Sequence, residues 1–503
     1  MIPSSMRLIR AVRRLISDVQ LVEQSLDSRQ KLAMADAMLN DLSLGLDTGF
    51  YSDYLKRGRA LILEGFGLMR QHGVDVAGGL SLTRATETVN EAVTNNDVDN
   101  ARQALSDISG VLIEQIENLF RLPNVDAAPW LHSFYGRISE WEQTLYAQRR
   151  ESEKAVPVSL SHALLPDAVQ SYMRTKFPGR SELKVASCRP LSGGYSRSTW
   201  LVEVQDPRQG CDAFVIRGER AVPSTPVTGF EITTEFGVLQ LAAKAGLPVP
   251  EPLWLETDAS QLGMRFIAVR KACGVNIGSF DGPDQELSPT LVQNLVSGLV
   301  AIHKVDLKKY SAQIARTHLK DWTSLSTVTD ATVYWLKYWY SSWKEGLPDS
   351  PILARAFMWL FANVPSCDEE PVLLHSDYAL SNILFDNDRV SAILDWEVTH
   401  IGDPAEEVSW LMANLGRSVK RETIVRLYRD AGGRSIDDYR LRYFDVFAAV
   451  KYLMCVVVAL RRFDKFDEAH PNLHWLARVL APLPAKSMEA LIASAEAVKS
   501  RRP

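Results

Sequence analysis

Cysteine is scarce in this 503-residue chain: Cys188, Cys211, Cys273, Cys367 and Cys455 are scattered, with no C-x-x-C pair. That spacing excludes a disulfide framework and a zinc ribbon, and it fits a reducing compartment, here the cytoplasm. No apolar run reaches the roughly 20 residues that a membrane-spanning helix needs. The nearest approach is Tyr452 to Leu460, so no membrane span is expected. Excess charge is missing too, and a net charge of -5 gives no electrostatic case for nucleic acid. There is no fixed-period repeat or low-complexity tract, which removes solenoids and disordered scaffolds. Up to about residue 152 there is also no convincing strand.

What is present is ordinary for a soluble globular protein: 46% apolar and 23% charged residues, in a chain long enough for two or three cores. Helical periodicity runs through roughly 28 to 46, 50 to 72, 98 to 121 and 128 to 150, with Gly73, the Asn95-Asn96-Asp97 turn and the charged Arg149 to Lys154 as punctuation. Residues 1-155 therefore read as an all-α bundle domain whose role the sequence does not give. Arg7, Arg10, Arg13 and Arg14 precede the first acid, as in a transit peptide or a membrane-surface helix. Leu8, Ile9, Val12, Leu15, Ile16 and Val19 keep a helical period through them, which favours the solvated face of a bundle helix. Glu114 and Glu117 lack the histidine spacing of a metal site and read as helix surface.

The chemistry lies further on. His375-Ser376-Asp377-Tyr378-Ala379-Leu380-Ser381-Asn382 follows the apolar run Val372-Leu373-Leu374 and has the H-x-D-x-x-x-x-N spacing of a kinase catalytic loop. Ile383 to Asp386, an Asn387-Asp388 turn and Val390 to Leu394 read as a hairpin that returns Asp395 to the side of that loop. Phosphoryl transfer from ATP needs these residue types. Magnesium prefers carboxylate, amide and phosphate oxygens, which suits Asn382 and Asp395 as ligands, and Asp377 is left to orient an acceptor hydroxyl and take its proton. Asp and Asn also cap turns, but both motifs in order make that account weak.

These residues resemble the aminoglycoside phosphotransferase and choline kinase group of small-molecule kinases, whose loop usually reads H-G-D before a later D-W-E. The resemblance covers roughly residues 184 to 480. It implies an α+β, bilobal protein-kinase-like fold, with a β-rich N-lobe over 156-275 and a helical C-lobe over 276-503, preceded by the all-α domain. It also implies ATP and Mg as cofactors. Ser192, Gly193, Gly194, Tyr195 and Ser196 look like the family's glycine-rich phosphate loop. Arg217 stands where kinases carry the phosphate-gripping lysine, a change that keeps the charge and alters the geometry. Glu235 is its expected partner, with Glu231 as a rival one turn earlier. The carbonyl of Arg270 and the N–H of Ala272 would meet the adenine edge. Gly402-Asp403-Pro404 continues the pattern, but Glu407 replaces a family aspartate.

The acceptor is less legible. Tyr334 to Trp343, followed by Trp359 to Pro365, resembles the subgroup found with acyl-CoA dehydrogenases, which implies a hydroxyacyl-CoA as acceptor; Trp335, Trp339 and Trp343 themselves read as core. Lys304, Lys308, Lys309, Arg316 and Lys320 against the single acid Asp306 suggest a basic wall beside the acceptor. An aminoglycoside, choline or sugar-like alcohol is the alternative acceptor, and a pseudokinase or nucleotide-sensing binding module is the alternative function. A protein kinase is disfavoured by Ser376 in place of the H-R-D arginine and by Trp396-Glu397 after Asp395. The oligomeric state is not readable.

Overall fold

A computed structural model describes residues 48–72, 98–122, 129–148, 164–180, 182–191, 197–207, 210–219, 231–279, 282–283, 285–315, 317, 319, 325–346, 350–465 and 482–501. The periodic segment 28 to 46, the N-terminal arginines, the Asn95 to Asp97 turn, the linker after Arg149, the loop residues Ser192 to Ser196, and Arg316 and Lys320 lie outside these described residues. The helical segments that do fall within them form as their periodicity predicts: α1 (Thr48–Gln71), α2 (Val98–Phe120) and α3 (Pro129–Gln148). In α2, Ile108, Leu112, Ile116 and Leu119 recur at helical spacing and are buried against Ile62 of α1 and Phe134 and Ile138 of α3. Gly65 of α1 permits the close approach, because a Cβ there would run into the Gln115 side chain.

The sheet region begins with a helix that the sequence reading passed over, α4 (Pro166–Lys176). It is followed by β1 (Lys184–Pro190), β2 (Arg197–Asp206), β3 (Gly210–Glu219), the helix α5 (Ile232–Lys244), β4 (Pro252–Glu256) and β5 (Phe266–Arg270). The strands form one antiparallel sheet in the order β1-β2-β3-β5-β4. Period-2 alternation decides what faces where. Trp200, Val202, Phe214, Ile216 and Phe266 pack on one face against Val169, Tyr172 and Met173 of α4. Val215, Ile267 and Val269 point to the other face, toward α5 and the helical half, and Arg217 goes with them as the neighbour of Ile216.

The helical half contains the small hairpin β6 (Gly278–Ser279) and β7 (Gly282–Pro283), then α6 (Pro289–His303), α7 (Val328–Gly346) and α8 (Pro351–Ala362). After β8 (Val372–Leu374), β9 (Ile383–Asp386), β10 (Arg389–Ile393) and β11 (His400–Gly402) come α9 (Pro404–Leu415), α10 (Arg421–Asp430), α11 (Asp438–Lys465) and α12 (Pro482–Lys499). The fold is thus the expected bilobal kinase-like one, with a helical region before it. Among the described residues no helix is long and apolar enough to cross a membrane.

The helical region shares its core with the C-lobe. Glu142 of α3 receives the Ser350 hydroxyl at 2.7 Å and the Ile352 N–H at 2.9 Å, so it caps the N-terminus of α8 from outside. Arg355 lies 4.5 Å from the Tyr135 ring centre and 5.4 Å from that of Phe120. Glu117, read from the sequence as a surface acid, accepts from Tyr340 at 3.1 Å and Lys344 at 2.9 Å. Glu142→Ala would leave buried donors at the α8 terminus without acceptors, and a stability loss of about 2 to 4 kcal/mol is expected. Urea unfolding of the variant measures it. A loss below about 1 kcal/mol, within the range of an ordinary surface change, would show that water replaces the carboxylate.

Candidate active site

The catalytic-loop segment is built onto the antiparallel pair β8 and β11, where His400 faces Leu374 and Gly402 faces Val372. The chain leaves β8 at His375, turns at Ser376 with φ 68°, and enters a short 3-10 turn, Leu380–Asn382. A left-handed serine costs on the order of 1 kcal/mol, and its surroundings hold it. Glu407 accepts its N–H at 2.6 Å and that of His375 at 3.2 Å, while Lys451 donates to its carbonyl at 2.9 Å and its hydroxyl at 2.7 Å. Glu407 is in turn bonded to His303, whose other ring nitrogen meets the Tyr428 hydroxyl at 2.7 Å. The glutamate in place of the family aspartate therefore still anchors the loop.

His375 links the two motifs. Its Nδ1 accepts the Asp377 N–H at 3.2 Å, which leaves Nε2–H to donate to the Leu394 carbonyl at 2.7 Å, one residue before Asp395. Asp395 itself has φ 63° and ψ 63°, a left-handed conformation that aspartate tolerates better than most residues. Asp377 is held at both oxygens: Asn382 Nδ2 donates to Oδ2 at 2.7 Å and Trp410 Nε1 to Oδ1 at 3.1 Å. Burial raises its pKa, and the charge of Asp395 raises it further.

From the sheet, Arg217 reaches across with Nη2 at 2.7 Å from Asp395 Oδ1 and 3.0 Å from Glu235 Oε1. Among the described residues its Nε is buried without a hydrogen-bond partner. Glu235 lies in the first turn of α5 and is also paired, through Oε2, with Arg197 at 3.2 Å. Arg197, the first residue of β2, meets Glu397 at 3.2 Å as well. Burial and then the neighbouring Asp395 push the Glu397 carboxyl up to about 8. The cluster thus ties four segments together: β2, β3, α5 and the turn that begins at Asp395.

Residues 187–444 match the sequence pattern of the phosphotransferase enzyme family. The chain belongs to this family. It is 26% identical over 285 residues to acyl-CoA dehydrogenase family member 11 of Rattus norvegicus, an alignment that takes in 52% of this chain and 34% of that one. It is 29% identical over 175 residues to hygromycin-B 4-O-kinase of Escherichia coli, with 33% of this chain and 48% of that one covered. The chain spans about a third of the length of the acyl-CoA dehydrogenase relative. A thermostable variant of aminoglycoside phosphotransferase APH(4)-Ia, solved with AMP-PNP and hygromycin B, aligns with a TM-score of 0.42 at 23% identity, over 65% of this chain and 98% of that one.

In this phosphotransferase-family chain, Asp377 pairs with Asn382, and Arg217 pairs with both Asp395 and Glu235, with His375 linking the two groups through the Leu394 carbonyl. Glu231, the rival for Arg217, pairs instead with Arg265 at 3.2 Å on the surface. Arg270 and Ala272 sit where β5 ends, and the Arg270 side chain is occupied by Asp212 and Glu251 at 2.7 and 2.6 Å. The following Gly274 has φ 119°, and a Cβ there would meet Ser391 Oγ and lie 2.8 Å from the Phe385 carbonyl. Gly274→Ala is expected to lose about 1 to 3 kcal/mol of stability, read by thermal unfolding. An unchanged transition would show that the connection relaxes freely.

Part of the basic run already has partners: Lys308 pairs with Glu370 at 2.7 Å, just before β8, and Lys304 donates to the Ala431 carbonyl. Trp335, Trp339 and Trp343 are core residues, as read. The sequence reading missed Arg197, Glu397, Trp410 and Lys451. Only Glu397, inside the D-W-E motif, carried a local signal.

Proposed function

We propose that the protein is an ATP- and Mg-dependent phosphotransferase that moves the γ-phosphoryl group to a hydroxyl of a small molecule. The observation that carries this is the pairing of Asp377 with Asn382, tied through His375 and the Leu394 backbone to the residue before Asp395, which Arg217 reaches from the sheet. Asp377 would accept the acceptor's hydroxyl proton, its carboxylate already fixed in orientation. Arg217 would bind phosphate oxygens through its guanidinium, held by Glu235. Ser192, Gly193, Gly194, Tyr195 and Ser196 would cover the phosphates, and the backbone at Arg270 and Ala272 would meet the base.

The donor set suits magnesium. Asn382 uses its Nδ2 toward Asp377 and keeps its amide oxygen, and Asp395 keeps Oδ2 while Arg217 takes Oδ1. Among the described residues there is no group of three or more His, Cys, Asp or Glu side chains that could hold a metal, so these two oxygens would need phosphate and water to complete the shell. When bound, the ion supplies charge neutralisation on the transferring phosphate. For the acceptor we propose a hydroxyacyl-CoA. The support is the relative named as an acyl-CoA dehydrogenase family member.

We take residues 1–155, 156–275 and 276–503 as the helical, sheet and catalytic segments, and the cytoplasm as the location, since all five cysteines are free. A nucleotide-sensing module without transfer is the second reading, favoured by Arg217 already occupying Asp395. The discriminating experiment incubates the protein with ATP, with and without magnesium, against hydroxyacyl-CoAs, free hydroxy acids, choline, sugars and hygromycin B, and follows phosphorylated product by mass. Transfer to a thioester in preference to its free acid is expected. Nucleotide binding with no transfer to any hydroxyl would establish the sensing module.

A further inference from the structure

We propose that Trp410 is a positioning residue for Asp377: its indole N–H pins one oxygen of the acceptor-side carboxylate while Asn382 pins the other. The inference rests on the reading of Asp377 as the group that takes the acceptor's proton. Its geometry is direct, with Trp410 Nε1 3.1 Å from Oδ1 and Asn382 Nδ2 2.7 Å from Oδ2. Two donors at opposite ends of a carboxylate stop it from rotating about its Cβ–Cγ bond, so its remaining lone pairs keep one direction.

The chemistry explains why an indole serves here. Indole N–H is a donor and never an acceptor, so it cannot compete with Asp377 for the proton of a bound hydroxyl, as a hydroxyl or amide at this position could. The ring is itself fixed. It stacks on Tyr452 with centroids 4.4 Å apart and an interplanar angle of 15°. The Tyr452 hydroxyl donates to Asn414 Oδ1 at 2.7 Å, and Asn414 Nδ2 donates back to the Trp410 carbonyl at 2.9 Å. The Lys451 ammonium lies 4.7 Å from the centre of the ring and draws on its π density, which strengthens the N–H as a donor. The same ammonium is bound to Ser376 and, at 3.1 Å, to Glu406. Burial alone would raise the Glu406 carboxyl, yet His400 and Lys451 bring it down to about 2, so this ion pair is a fixed feature of the site. The loop before Asp377 and the donor above it therefore share one cationic anchor on α11.

A core tryptophan would account for the burial of the ring but not for the effect of removing only its N–H. Trp410→Phe keeps an aromatic ring against Tyr452 and removes the donor. Its kcat with the preferred acceptor is expected to fall about tenfold or more, with KM for ATP within about twofold and the melting temperature lowered by only a few degrees, as one lost buried hydrogen bond requires. In an Asp377→Asn background, the same substitution should alter the residual rate by less than about twofold, because the two residues act as a unit. A kcat within about twofold of the parent, or an equal fractional loss in both backgrounds, would overturn the proposal. A spectroscopic readout needs no acceptor. The indole N–H resonance of Trp410, identified among the 12 tryptophans by its absence from Trp410→Phe, should lie downfield and move upfield in Asp377→Asn. A resonance that does not move would show that the bond is not made. If no acceptor is turned over at all, the phosphotransferase reading fails while the indole signal still decides the contact.

Discussion

Asp377→Ala is expected to lower phosphoryl transfer roughly a thousandfold, in the range that a positioned general base contributes, while ATP binds almost as before. The reasoning is geometric. Asp377 is bonded to Asn382 and Trp410, whereas Arg217, the proposed phosphate ligand, is bonded to Asp395 and Glu235. Single-turnover rates and equilibrium binding of ATP separate the two effects. If ATP affinity fell as far as the rate, Asp377 would belong to the nucleotide site and the division of roles would be wrong.

Asp395→Ala should remove the magnesium-dependent part of nucleotide binding and reduce transfer by a factor comparable to that for Asp377, since the nearby Glu235 and Glu397 are both held by Arg197. A second effect follows from Arg217, whose shortest contact, at 2.7 Å, disappears in the variant. Freed from Asp395, the guanidinium keeps only Glu235, and ATP affinity in the absence of magnesium should stay level or rise. The measurement is an ATP titration at zero and saturating magnesium. The same gain in affinity on adding magnesium in parent and variant would exclude Asp395 as a ligand.

The parts of this site that could be read in the sequence are those whose geometry is local. Asp377 and Asn382 are five residues apart in one loop, and the hairpin that returns Asp395 has its turn at Asn387, with φ 51°, as the Asn-Asp pair suggests. The pairing of Glu235 with Arg217 was readable only through the family pattern. Trp410 and Lys451 were not readable, because α9 and α11 bring them to the loop from 33 and 75 residues away and neither departs from the helical pattern around it. The partners of the basic run were unreadable for a related reason: counting charge along the chain cannot show that Lys308 is matched by Glu370, 62 residues on. Helix α4 escaped notice because it is 11 residues long and its N-cap, Leu165, offers no side-chain cap.

The carboxylate of Glu142 has a consequence for modularity. Residues 187–444 are the portion recognisable as a phosphotransferase, yet the first turn of α8 within that portion is completed by a side chain from α3, and Arg355 is seated between two rings from α2 and α3. The recognisable unit and the folding unit therefore do not coincide. Exchange of that portion with a relative's would transfer the chemistry but leave behind the helices that finish its acceptor lobe, so in this chain inheritance would favour keeping the two together.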